Sequence, residues 1–361
     1  MAFAPRALID HAAFRHNLHC VRRAAPHSRV WAVIKANGYG HGLLRAAKGL
    51  EAADGFAVAR PDEGMALREA GVDKPILLLE GVLRGEELAL ASAARLQPVV
   101  HQRRHLDLLQ GTATATPLTV WVKVDTGMHR LGFPPKEVDE VVHRLESMPS
   151  VGGKVGLITH LANADDRSDP LTLHQCEMVR GLPAASGRPL SIGNSGGVLG
   201  WPEAQGDWVR PGIMLYGVSP FTGTSAEQEG LRPVMTLQAP LIAVRRLEAG
   251  DAVGYGGSYR CPEAMPVGVI GIGYGDGYPR HAAEGTPVRI GDREVPLIGR
   301  VSMDMITVDL RRAPKVSVGD WATLWGEGVP VEHVAARAGT IAYELLCNVA
   351  ERVDFLEYAT P

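Results

Sequence analysis

The chain of 361 residues is 45% hydrophobic and 21% charged, with a formal net charge of −3. That is enough apolar material for two or three domains, and too little charge asymmetry for a nucleic-acid or anionic-membrane partner. Its cysteines (Cys20, Cys176, Cys261 and Cys347) are far apart and fit neither a metal-binding CxxC nor a disulfide framework, so no metal site is expected.

At the N-terminus Arg6, Asp10, His11, Arg15 and His16 interrupt the apolar residues, so no signal-peptide core is expected. No apolar run reaches the ~20 residues of a membrane span. A soluble cytoplasmic protein is the expectation.

From residue 31 onward short apolar runs alternate with amphipathic stretches. The strand candidates are Trp31–Ala36, Gly55–Ala59, Pro75–Leu79, Leu96–Val100, Leu118–Asp125, Lys154–Leu161, Pro189–Ser195 and Trp208–Gly217. Between them, spacings such as Val138, Val141, Val142 and Leu145 place apolar groups on one helix face. Eight β-α units with near-continuous apolar strands predict a parallel sheet covered by helices, and eight is the number that closes a TIM barrel. An open doubly wound sheet is the alternative; no glycine fingerprint follows the first strand to support it.

The pattern changes after about residue 225. Val288–Ile290, Glu294–Ile298, Met305–Leu310 and Trp321–Trp325 read as strands, punctuated by the turn-forming pairs Gly250-Asp251, Gly291-Asp292 and Gly319-Asp320. Residues 331–339 read as a short helix. The expected division is a (β/α)8 barrel over 1–225, with the first few residues packing on the second domain, and a mainly antiparallel β-domain over 226–361.

Polar residues collect where the barrel strands are predicted to end: Lys35, Asp125, His160, Asn194 with Ser195, and Arg210. Strand C-termini supply the active sites of TIM barrels. Lys35 closes Trp31-Ala-Val-Ile-Lys, where a lysine either snorkels to solvent or is held neutral or covalently bonded. The glycines of Ala36-Asn-Gly-Tyr-Gly-His41-Gly permit a tight turn and close approach of backbone to a ligand.

The chain resembles the alanine racemases, fold-type III enzymes that use pyridoxal 5'-phosphate. The resemblance rests on Ala32-Val-Ile-Lys-Ala-Asn-Gly-Tyr-Gly-His-Gly42, Val122-Lys-Val-Asp-Thr-Gly-Met-His-Arg-Leu-Gly132, Val209-Arg-Pro-Gly-Ile-Met-Leu-Tyr-Gly217, Gly254-Tyr-Gly256, Gly273-Tyr-Gly-Asp-Gly-Tyr278 and Gly299-Arg-Val-Ser-Met-Asp304, in that order. It implies interconversion of L- and D-alanine by two bases on opposite faces of a cofactor imine. Lys35 is implied as the imine lysine and one base. Tyr255, from the second subunit of a homodimer, is implied as the other. Arg210 is placed against the pyridine nitrogen. It stays protonated and donates only, so it weakens the electron sink and favours racemisation over side reactions. His160 is implied between Tyr255 and Arg210. Tyr39, Ser195, Tyr343 and the amides of Gly212 and Ile213 are implied for the phosphate.

Arg130 and the Met303 amide are implied for the substrate carboxylate. Lys123 matches a lysine that some relatives carbamylate. Tyr274, Asp304 and Arg352 match the substrate entry. The chain departs from the common pattern at Ser302, where many relatives carry Cys, and at Gly275, where many carry Ala. A broad-specificity amino-acid racemase, a related decarboxylase and a non-catalytic carrier of the same cofactor are the other readings. Arg210 counts against the decarboxylase, and the extra β-domain counts against the carrier.

Overall fold

The computed structural model describes residues 4–359 and divides into two compact units. One is Arg15–Leu215 with Pro220–Gly223. The other comprises the N-terminal residues through Phe14, Tyr216–Ser219, and the chain from Thr224 onward. No helix among the described residues is long and apolar enough to cross a membrane.

The strands in chain order are β1 (Arg6–Asp10), β2 (Arg29–Val33), β3 (Gly55–Val58), β4 (Ile76–Leu78), β5 (Leu96–Val100), β6 (Trp121–Lys123), β7 (Gly156–Ile158), β8 (Leu190–Ser191), β9 (Trp208–Val209), β10 (Met235–Leu247), β11 (Ala252–Val253), β12 (Tyr259–Arg260), β13 (Met265–Ile270), β14 (Pro287–Ile290), β15 (Arg293–Ile298), β16 (Ile306–Asp309), β17 (Trp321–Trp325) and β18 (Asp354–Tyr358). Strands β2 to β9 form the closed parallel barrel, each pairing with the next and β2 with β9. All eight predicted barrel strands are present, so the α/β barrel reading holds.

Barrel helices bury the faces their spacing predicts. Val138–Glu146 turns Val138, Val141, Val142 and Leu145 inward, with Asp139 and Glu140 in its first turn and Arg144 in its last, the charge order the helix dipole favours. Three tryptophans pack together inside the barrel, Trp121 and Trp208 at the first residues of their strands and Trp31 in the middle of β2. Trp31 stacks on Trp208 at 4.2 Å and meets Trp121 edge-on at 6.3 Å. Such pairs add about 0.5–1.5 kcal/mol beyond their burial.

Several strands end earlier than their apolar runs. β2 stops at Val33, β6 at Lys123, β7 at Ile158, β8 at Ser191 and β9 at Val209. The chain beyond the regular strands stays buried, as at Ile34, Val124, Leu161, Ile192 and Met214, and the amides of Ile34 and Val124 still donate to the neighbouring strands. Lys35 therefore does not end a strand. It stands two residues past one.

The second unit holds an eight-stranded sheet in the order β13-β16-β15-β14-β17-β10-β1-β18. β13 also pairs with the C-terminal half of β10, so six of these strands form a ring. Every pairing is antiparallel except β1 with β18. Gly291-Asp292 is the two-residue turn between β14 and β15. The predicted helix is Val331–Arg337.

Candidate active site

Lys35, half-buried, opens a single left-handed turn. Ala36, Asn37, Gly38 and Tyr39 have φ of 53°, 54°, 61° and 49°. A left-handed turn costs an L-residue about 1–2 kcal/mol, and glycine relieves only one of these four. Hydrogen bonds hold the rest. Glu63 accepts from the amides of Ala36 and Ala59, both at 2.7 Å. Asn37 Oδ1 accepts from the Leu43 amide at 2.9 Å. Burial pushes His41 down to about 4, so the ring is neutral and Nδ1–H donates to the Tyr39 carbonyl at 2.9 Å. The glycine-rich loop is thus a fixed platform for Lys35.

Arg210 follows β9 and is buried. Nη1 donates to Ser191 Oγ at 2.7 Å. Nη2 donates to the Thr159 carbonyl at 2.5 Å and the Ile192 carbonyl at 3.1 Å, and lies 3.4 Å from His160 Nδ1. All these acceptors are neutral. Burial alone pulls this guanidinium down to about 9, and no carboxylate pairs with it among the described residues. An arginine has no acceptor to offer, so His160 Nδ1 is the acceptor of that contact and its proton resides on Nε2.

His160 lies two residues past β7. Burial, then the charges of Arg210, Lys123, Arg130 and Lys35, holds its imidazole well below the usual range and therefore neutral. Lys123, at the end of β6, is lowered to about 8 by burial and by Arg210, Arg130 and Lys35, against a partial opposing pull from Asp125. The barrel mouth is therefore a cluster of cations around one neutral imidazole, an environment suited to an anionic ligand.

Arg130 is exposed on the loop after β6. Partial burial raises the Asp125 carboxyl, but bonds from the amides of His129 and Gly127 outweigh it, and the net shift is downward. The loop returns to β6 through Phe133, whose amide donates to the Lys123 carbonyl at 2.8 Å.

Ser195 opens the helix Ser195–Gly200, capped by Asn194 Oδ1, which accepts from the Gly197 amide. Its Oγ accepts from the amides of Gly212 at 2.9 Å and Met214 at 3.3 Å. The Gly212 amide is thus already donated to Ser195. A Cβ on Gly212 would lie 2.4 Å from Tyr39 Oη, so only glycine lets that hydroxyl approach. Tyr39, Ser195 and Gly212 share one cradle, and Ile213 begins the turn that follows it.

The other candidates belong to the sheet unit and are placed within it. Tyr255 stands 68% exposed on the turn Tyr255–Gly257, and Met303 is 55% exposed. Tyr274 and Tyr343 are also exposed. Arg352 bridges two loops: Nε meets Asp276 Oδ1 and Nη2 meets Asp304 Oδ1, each at 2.7 Å. The amides of Tyr274 and Gly275 donate to the carbonyls of Ser302 and Met303. Tyr274, Met303, Asp304 and Arg352 thus form one loop cluster. Tyr255 belongs to a separate turn.

Sequence reasoning missed the partners that hold this machinery. Ser191, Thr159, Thr126 and Gln175 are buried polar residues in the barrel. Gln175 carried a readable signal: it shares the inward stripe of its helix with Thr172, Cys176 and Val179, where an apolar residue is expected.

A family model for the N-terminal domain of alanine racemase matches residues 9–220, and one for its C-terminal domain matches 234–356. The alanine racemase of Nitrosococcus oceani is 55% identical over 349 residues, 97% of this chain and 98% of that protein. That of Halorhodospira halophila is 52% identical over 98% of this chain and 97% of its own. The crystal structure of the biosynthetic alanine racemase from Pseudomonas aeruginosa superposes with a TM-score of 0.95 at 43% identity, covering 99% of this chain and all of that one. The Acinetobacter baumannii enzyme gives 0.94 at 38% identity, covering 99% of this chain and 100% of its own. With both halves matched in order and at nearly full length, the chain belongs to the alanine racemases.

Proposed function

We propose that the barrel mouth holds pyridoxal 5'-phosphate on Lys35, and that a second copy of the chain completes the site by delivering Tyr255. Arg210 is the observation that carries this reading. It is a buried guanidinium fixed by neutral acceptors, with no acid beside it among the described residues. The cradle at Tyr39, Ser195 and Gly212 fits the phosphate: Ser195 Oγ accepts two amide bonds and keeps its own proton to donate. The cationic mouth matches the charge of the group.

The cofactor supplies the electron sink that makes the α-proton of alanine removable. Lys35 anchors it covalently and takes or returns the proton on one face. Tyr255 does so on the other, which is what inversion requires. Arg210 donates to the ring nitrogen and cannot pass a proton to a base. His160, neutral and with Nδ1 engaged, offers Nε2–H toward Tyr255. Arg130 and the Met303 amide bind the carboxylate. Tyr39, Ser195, Ile213 and Tyr343 hold the phosphate, and Gly212 acts through Ser195. Lys123 orients Arg130, and Tyr274, Asp304 and Arg352 line the entry. Substrate and cofactor are cytoplasmic metabolites, and the enzyme works there as a homodimer, supplying D-alanine for peptidoglycan or serving alanine catabolism.

The test is racemisation by the purified protein, followed by circular dichroism on alanine, serine, lysine and arginine, together with the Lys35→Ala variant. We expect alanine to be strongly preferred, and Lys35→Ala to lose both turnover and the visible absorbance of the lysine-bound cofactor. An unchanged spectrum in Lys35→Ala overturns the assignment.

A further inference from the structure

Gln175 sits in the middle of the helix Leu171–Arg180, wholly buried. Its side chain spends its hydrogen-bonding groups on the loop that carries His160 and on Thr126, just past β6. Nε2 donates to the His160 carbonyl at 3.2 Å and to Thr126 Oγ1 at 3.0 Å. Oε1 accepts from the Ala162 amide at 2.9 Å. The next bonds have only one possible direction. Thr159 Oγ1 gives its one proton to the Val124 carbonyl at 2.9 Å, so across the 2.7 Å between the two hydroxyls Thr126 donates and Thr159 accepts, while Thr126 accepts from Gln175. The chain runs from the helix through two hydroxyls to the end of β6. It braces the peptide on either side of His160, and the Thr159 carbonyl beside it receives Arg210.

We propose that Gln175 is a positioning residue for racemisation, fixing the His160 peptide and, through Thr126, residue Thr159, whose carbonyl receives the Arg210 guanidinium. The proposal rests on the roles given above to His160 and Arg210. An apolar residue at this position would satisfy the helix face equally well. The carboxamide costs burial, and that cost is met only because every polar atom finds a partner. The partners it finds are the two strand ends that bear on the candidate chemistry, not the helix or its neighbours on the barrel exterior.

The experiment compares Gln175→Met, which keeps length and burial, with Gln175→Glu, which keeps only the acceptor for Ala162. Each is studied as holoenzyme beside His160→Ala and the double variant Gln175→Met/His160→Ala. We expect kcat to fall on the order of 10- to 100-fold in Gln175→Met, the range a misplacement remote from the chemistry produces. KM for alanine should change less than about threefold, because Arg130 and Met303 are untouched. On the His160→Ala background the same change should cost clearly less than in wild type, leaving only the part that passes through Thr159 to Arg210, since residues acting as a unit are not additive.

A readout independent of turnover is the nitrogen spectrum of 15N-histidine protein. Wild-type His160 should show a neutral ring protonated at Nε2. In Gln175→Met the His160 peptide is no longer held and the ring loses its fixed place beside Arg210, so this single Nε2 signature should give way to a mixture of the two tautomers. Wild-type kcat in Gln175→Met, or losses that simply add to those of His160→Ala, overturn the proposal. Should Gln175→Met fail to fold, Thr126→Val cuts the same chain and is held to the same criteria. His160→Ala with full activity would instead overturn the role of His160 itself, so the two failures are distinguishable.

Discussion

In the barrel unit Lys35, His160, Ser195 and Arg210 stand just past strand ends, in segments held by bonds that their own unit supplies. Glu63 pins the Lys35 turn, Ser191 and the Thr159 carbonyl pin Arg210, and Ser195 pins the Gly212 amide. In the sheet unit Tyr255 and Met303 are 68% and 55% exposed, on turns and loops. A closed parallel barrel brings all its strand ends to one rim, so a rigid site follows from the fold. A strand ring offers loops instead. The contrast teaches where function is separable from stability: in the sheet-unit loops it is, and at the barrel rim it is not.

The sharpest break between the two regions is Tyr255→Phe. The hydroxyl is exposed within its own unit, so unfolding free energy should change by no more than about 0.5 kcal/mol. Loss of a positioned proton-transfer group should nevertheless cut racemisation about a hundredfold to ten-thousandfold, most severely from L to D. Proton NMR in deuterium oxide separates the faces. D-alanine should still exchange its α-proton, through Lys35, while inversion is lost. Full activity in both directions removes Tyr255 from the chemistry.

The same contrast explains what the sequence revealed. Barrel strands are covered on both sides and read as apolar runs, which made all eight legible. Their ends were overrun because Ile34, Val124 and Ile192 are buried just beyond the regular pairing, and apolarity does not mark where that pairing stops. The long β10 was missed. Pro240 interrupts it, and its register shifts along the strand, so no clean alternation marks it. β1 is five residues whose partners, β10 and β18, lie more than 200 residues away, and nothing local announces such a pairing. At the site, Lys35 and Arg210 stood out as charges in apolar runs. Thr159 and Ser191 are short hydroxyl residues common in any strand. Their importance lies in what they touch.

A milder test uses the charge crowding of the rim. Lys123 keeps its proton to 10.5 when unfolded and loses it near 8 when folded, because burial and then Arg210, Arg130 and Lys35 disfavour the ammonium. Between those values the unfolded chain binds more protons, so stability rises with pH across that window and the full penalty applies below it. Denaturant unfolding in carbon dioxide-free buffer should show this rise in wild type and a smaller one in Lys123→Met. Equal slopes would place Lys123 outside the crowded field. With 13C-labelled bicarbonate added, the neutral amine should take up carbon dioxide, releasing a proton and reversing its charge toward Arg130. A carbamate carbon signal absent from Lys123→Met would report it.

The smallest expected effect lies in the sheet unit, at Gly275. A Cβ on Gly275 would come within 2.7 Å of Arg352 Nη2 and 3.1 Å of the Met303 carbonyl. The first contact is the far end of a flexible side chain that also holds Asp304, and an exposed ion pair of this kind is worth only about 0–1 kcal/mol. Gly275 does not have positive φ, so alanine meets no backbone strain there. Gly275→Ala should therefore shift stability by less than about 1 kcal/mol. The arginine must give way and Met303 must adjust, so the Michaelis constant for alanine should move by about twofold with kcat unchanged. A loss of kcat without loss of stability would mean that this loop cluster positions the reacting groups, and the sheet unit would then share the rigidity assigned here to the barrel.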